Sequence, residues 1–154
     1  MSDPPTRLYS DLSWHGFLRR YVAASFGLNL FWEFAQLPLY TLWHGGSADA
    51  LVFAPLHCTA GDVFIASLTL LGSILILGNS QWPRQSYVAV ATATVVAGLA
   101  YTVYSEWLNV YVRKSWGYSD LMPVVLGLGL SPILQWLLIP TAVFAYLSQR
   151  EQTH

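Results

Sequence analysis

The sequence predicts an all-α integral membrane protein, a bundle of four transmembrane helices. Three observations predict it. Only 10% of the 154 residues are charged, against about 25% in a typical soluble domain. Hydrophobic residues make up 55%, and they gather into stretches near or above the ~20 residues that cross ~30 Å of hydrocarbon. Seven Trp and nine Tyr suit a chain whose helices meet lipid headgroups.

The first helix is expected over residues 18–42. The second, over 60–79, is the shortest and most aliphatic; the third covers 86–111. The fourth, 121–147, carries Pro123, Pro132 and Pro140 with Gly127 and Gly129 between them, and a bend is expected near Pro132. The segment 43–59 reads as a long loop broken by Gly45, Gly46 and Pro55, and its apolar middle as an interfacial or re-entrant piece. Residues 1–17 and 148–154 then form a cytoplasmic N-terminal segment and tail around the domain 18–147. The N-terminal residues lack the charged-then-apolar pattern of a cleaved signal peptide, so the first span is expected to stay. Arg7, Arg19, Arg20, Arg84 and Arg150 fall on one side; Arg113 and Lys114 fall on the other. The majority places both termini in the cytoplasm.

Composition also excludes some classes. With a net charge of −1 and no run of Lys or Arg, the chain has no means of neutralising phosphates, so no nucleic-acid partner is expected. The single Cys58 forms no internal disulfide and no CxxC motif. Membrane lipid and a lipophilic small molecule are the expected partners. A chain this small could also serve as one protomer of a homo-oligomer.

Ionisable residues inside apolar helices are costly, roughly 2.5–3.5 kcal/mol for a mid-helix Asp, and point to function by default. Glu33 and Glu106 are such residues. Asn29, Glu33, Gln36 and Tyr40 recur at steps of four, three and four, on one face of the first helix. Thr102, Glu106, Asn109 and Arg113 form a matching series on the third. His57 and Asp62 stand at the start of the second helix, Ser131 and Gln135 on the fourth. With alternating helix directions these residues converge in one half of the bundle, as a polar pocket open to the outer side.

Each has a structural reading beside the functional one. Thr59-Ala60-Gly61-Asp62 matches a helix-capping box. Glu106 could pair with Arg113 or Lys114 at the interface, and Glu33 could bond other helices. The series around Gly127 and Ser131 reads better as helix packing.

Three functions remain open. Glu33, His57, Asp62 and Glu106 could serve as an acid–base set on an isoprenoid or sterol-like substrate. In that reading a carboxyl group in an apolar pocket near another stays protonated and acts as the acid, while His57 beside Asp62 is the base. Asn29, Trp32, Gln36, Asn109 and Gln135 would bind the substrate. The same ionisable residues could instead form a proton or metal-ion transporter subunit, although no HxxxH, ExxH or CxxC spacing marks a metal site. The polar faces could also serve only to associate helices in a non-catalytic membrane partner. No cofactor is indicated.

Two resemblances bear on this. Asn29-Leu30-Phe31-Trp32-Glu33-Phe34 to Pro38-Leu39-Tyr40, His57 to Asp62, Tyr104 to Asn109, and the run from Met122-Pro123 through Pro132, Gln135-Trp136 and Pro140 resemble signatures of small, uncharacterised polytopic membrane proteins of bacteria. That resemblance implies a bacterial inner membrane and names no activity. The Asn29-x-x-Trp32-Glu33 element is similar to one in small integral membrane terpene cyclases. It implies an intramembrane acid at Glu33 that protonates an isoprenoid.

Overall fold

The computed structural model describes residues 14–152. Its first helix, α1 (Trp14–Gln36), ends in a 3-10 turn, Leu37–Leu39, with Pro38 near its start. A four-residue helix, α2 (Leu42–Gly45), follows. The third helix, α3 (Ala48–Leu77), is 30 residues long. The fourth, α4 (Tyr87–Trp107), runs on into a π-helical turn, Leu108–Val112. A small antiparallel hairpin of β1 (Val124–Val125) and β2 (Leu128–Gly129) leads into α5 (Leu130–Gln152). The chain is thus all-α apart from this hairpin, as the composition predicts. Among the described residues, three helices are long and apolar enough to cross a membrane: Ala48–Leu77, Tyr87–Val112 and Leu130–Gln149.

Several expected boundaries move. Residues 48–59 are not a loop but the first two fifths of α3. The helix starts at Ser47, whose side chain accepts from the Ala50 N–H, with Asp49 in the first turn. Asp62 therefore caps nothing and sits mid-helix. Pro55 lies inside α3; it removes one backbone donor, a loss that a helix packed among others tolerates. In α5, Pro123 falls before the helix and Pro132 in its first turn, so Pro140 is the interior proline rather than Pro132. The helix also continues beyond residue 147, through Gln152. Arg7 and most of the N-terminal segment lie outside the described residues.

The four long helices pack as neighbours in the cyclic order α1, α3, α4, α5. The inward face of α5 carries Trp136, Ile139, Val143, Phe144 and Leu147, whereas those of α1, α3 and α4 mix apolar residues with small or polar ones. On α4 these are Val90, Thr94, Gly98, Thr102 and Glu106, at steps of four. Small residues let backbones approach closely, and a Cβ on Gly98 would overlap the Trp136 ring. Large apolar residues point outward: Leu75 is 85% exposed, Ile76 80% and Val88 76%. Apolar side chains turned outward while polar groups bond one another inside fit surroundings of hydrocarbon.

The two ends differ. At the end carrying Arg19, Arg20 and Arg84, Phe17, Tyr21, Trp82, Tyr87 and Phe144 pack ring to ring. At the other end the segments after α1 and α4 bind each other. Ser119 N donates to Leu39 O at 2.9 Å, Thr41 N donates to Gly117 O at 2.9 Å, and Tyr40 and Tyr118 form an antiparallel bridge.

Candidate functional site

Glu33, on the face of α1 predicted from its spacing, meets Asp62 of α3 through an amide of α5. Gln135 Nε2 lies 3.0 Å from Glu33 Oε1 and 2.9 Å from Asp62 Oδ2, so the two carboxylate oxygens are no more than 5.9 Å apart. The same nitrogen donates to Asn29 Oδ1 at 2.9 Å. Gln36 Nε2 donates to Glu33 Oε1 at 2.8 Å and to Gln135 Oε1 at 3.3 Å. Ser131 donates to Gln36 Oε1 at 2.8 Å and accepts from the Trp32 indole at 3.1 Å. Asn29, Gln36 and Gln135 are buried.

The direction of this network is fixed at both ends. An indole N–H only donates, so Ser131 must pass its own hydrogen on to Gln36, which turns the Gln36 amide nitrogen toward Glu33 and Gln135. At the other end a backbone carbonyl only accepts. Asn29 Nδ2 donates to Ser25 O at 2.8 Å, which leaves Asn29 Oδ1 to accept from Gln135. The Gln135 nitrogen thus offers two hydrogens to three acceptors. Gln36 supplies the remaining donor to Glu33.

Charge is not balanced in the same way. Between Arg20 and Gln36, along all of α3 and α4, and in α5 before Arg150, no Lys or Arg occurs. Two ionised carboxylates at this spacing would repel by about 3 kcal/mol, taking an effective dielectric of ~20.

Glu106, on α4, is buried and takes a hydrogen bond from Tyr118 Oη. The pairing with Arg113 or Lys114 does not occur; both are exposed. The buried Trp116 indole nitrogen lies beside the carboxylate without reaching hydrogen-bond geometry. Tyr40 is within electrostatic reach of both Glu106 and Glu33, with its ring centroid 5.9 Å from that of Tyr118. Burial first, then the Glu106 and Glu33 carboxylates, hold the Tyr40 phenol well above the usual tyrosine range. Burial and the bond to Glu106 hold the Tyr118 phenol up as well. Both phenols therefore stay protonated donors at neutral pH. Cys58 is within electrostatic reach of Glu33, Asp62 and Glu106.

Two predicted residues are not brought in. His57 is exposed and stacks on Phe53 of its own helix, at 5.4 Å between centroids. It does not bond Asp62, because inside a continuous helix a separation of five residues points the two side chains apart. Asn109 bonds back to its own helix, to Ser105 O at 2.9 Å and Ser105 Oγ at 3.3 Å. Tyr118 and Ser25 are the members that spacing alone did not assign, and Ser131, placed with Gln135, was read as helix packing. Ser131 stands one helical turn before Gln135, and Ser25 one turn before Asn29, so periodicity held a signal for both. Tyr118 lies in irregular chain, where no period exists.

A small cavity of about 10 Å³ borders Tyr21, Ser25, Asn29 and Trp136. An open groove of about 580 Å³, lined by Leu18, Arg19, Val22, Ala23, Phe26 and Val63, runs outside the bundle and does not include the carboxylates. Among the described residues no group of three or more His, Cys, Asp or Glu is placed to hold a metal ion.

Comparison of the chain with family models, with curated proteins and with solved structures gives no match.

Proposed function

We propose that this chain is a membrane-embedded acid–base protein acting on a lipophilic molecule, with the Glu33–Asp62 pair as its proton-holding group. The observation that carries the reading is the meeting of two carboxylates from different helices on one buried amide, Gln135, without a cation on any of the four helices between Arg20 and Arg150. One proton shared by the pair removes the repulsion and leaves a group able to give or take a proton. Glu106 with Tyr118 is the second station, and Tyr40 links the two. Asn29, Gln36, Gln135 and Trp32 position the acids rather than act on substrate.

The setting supports a lipophilic substrate, because the carboxylates lie between helices whose outer faces are apolar. It favours one-sided acid–base chemistry over transport. The polar chain runs from Tyr118 to Ser25, and the other end of the bundle is filled by Phe17, Tyr21, Trp82, Tyr87 and Phe144. A conducted proton or ion would have to cross that aromatic layer.

The same reading takes α1 as the fourth crossing. Its 23 residues reach about 34 Å at ~1.5 Å each. Its mean hydropathy is low because Asn29, Glu33 and Gln36 turn inward, away from lipid. Arg19, Arg20 and Arg84 share an end, which supports a four-helix bundle in a bacterial inner membrane with both termini in the cytoplasm.

Mass spectrometry of the protein extracted into nanodiscs tests the substrate class. A co-purifying isoprenoid or sterol-like lipid that is lost in both Glu33→Gln and Asp62→Asn is the expected result. A metal ion held at one per chain and lost in the same variants would replace this reading with ion handling.

A further inference from the structure

The cavity of about 10 Å³ beside Asn29 is unusual in what borders it. Tyr21 is 1% exposed, and its hydroxyl lies near the Ser25 side chain without reaching hydrogen-bond geometry. Ser25 and Asn29 border the same space, as do Trp136 and Pro140. Pro140 lies inside α5 and has no N–H, so the Trp136 carbonyl, four residues earlier, loses its helical donor. A residue with a buried hydroxyl and a residue with a freed carbonyl thus border one cavity. Its volume is at the threshold for one water, roughly 10–15 Å³, and a buried water needs two to four polar partners.

We propose that this cavity is a binding site for a single ordered water, which accepts from Tyr21 Oη and donates to the Trp136 carbonyl. Its remaining hydrogen reaches Ser25 or Asn29, both already joined to the carboxylate network through Gln135. The water extends that network from Asn29 two helical turns toward the Arg19 end, where the aromatic layer stops it. It also satisfies the backbone at the α5 proline, as ordered waters do in other proline-containing membrane helices. This site stands independently of what the carboxylates do.

The full chain in lipid nanodiscs gives a test of sign. If the Tyr21 hydroxyl were truly unpartnered, deleting it would remove a buried unsatisfied group and raise the thermal midpoint. With the water in place, Tyr21→Phe lowers the midpoint. In a Pro140→Ala background the helix recovers its own donor to Trp136, so the same change costs less. A Tyr21→Phe shift that is zero or upward, or that is identical in both backgrounds, overturns the proposal. A high-resolution structure of the wild-type protein in lipid reads the same site without any variant. Density within hydrogen-bond distance of Tyr21 Oη and Trp136 O supports the water, and a dry cavity contradicts it.

Discussion

Gln135 is the residue on which the site turns. It donates to Asn29, Glu33 and Asp62 and accepts from Gln36, so three helices share one side chain. Leu has a similar volume but offers none of these bonds. Gln135→Leu is expected to destabilise the protein by about 1–3 kcal/mol, the cost of leaving buried polar groups unpaired, as read by unfolding in lipid or detergent. A loss no greater than that of an exposed substitution would mean the amide is incidental. The residues of this site were legible in the sequence where one helix set them. Asn29, Glu33 and Gln36 follow from a 3.6-residue period alone. Which helix answers them is a matter of three-dimensional register, and no pattern within a helix encodes it. That is why Asp62 was paired with His57 in sequence, whereas in space its partner is Gln135, 73 residues away.

At the scale of elements, the error at His57 has a specific origin. Gly45, Gly46 and Pro55 read as breakers, and Thr59 to Asp62 read as a cap. The stronger local signal was Ser47, with an acid two residues later, and helix α3 starts there. Proline is a weaker breaker when helices around it take up the freed backbone groups. The π-helical turn Leu108–Val112 begins two residues after Glu106. Such turns recur at functional sites, and this one turns the chain toward Trp116 and Tyr118. The α4–α5 contact depends on Gly98, whose missing side chain admits the Trp136 ring. Alanine is the better helix former by up to about 1 kcal/mol, yet overpacking costs about 1–3 kcal/mol. Gly98→Ala is therefore expected to lower the unfolding midpoint. A raised midpoint would show that the ring moves freely.

For the whole molecule, large apolar residues cover the outside, polar residues meet within one part of the interior, and the two ends are chemically different. One is aromatic and closed; the other carries the phenols and Glu106. The number of crossings decides whether this asymmetry maps onto the two sides of a membrane. In a Cys58→Ala background, His15→Cys, Trp43→Cys, Gln81→Cys and Ser115→Cys can be labelled with an impermeant thiol reagent. Four crossings place 15 and 81 on one side and 43 and 115 on the other. Labelling of 15 and 43 from the same side would remove α1 from the membrane-spanning set. Composition made three of these helices plain, because their residues are apolar on every outward face. The fourth is ambiguous because it carries the site.

The central claim is that Glu33 and Asp62 share one proton at neutral pH. Infrared spectroscopy of the reconstituted protein reads it directly, because a protonated carboxyl and a carboxylate absorb in separate bands. The account predicts a protonated carboxyl band at neutral pH that disappears or shifts in both Glu33→Gln and Asp62→Asn. A wild-type spectrum with no such band, or one unchanged by both substitutions, would contradict it.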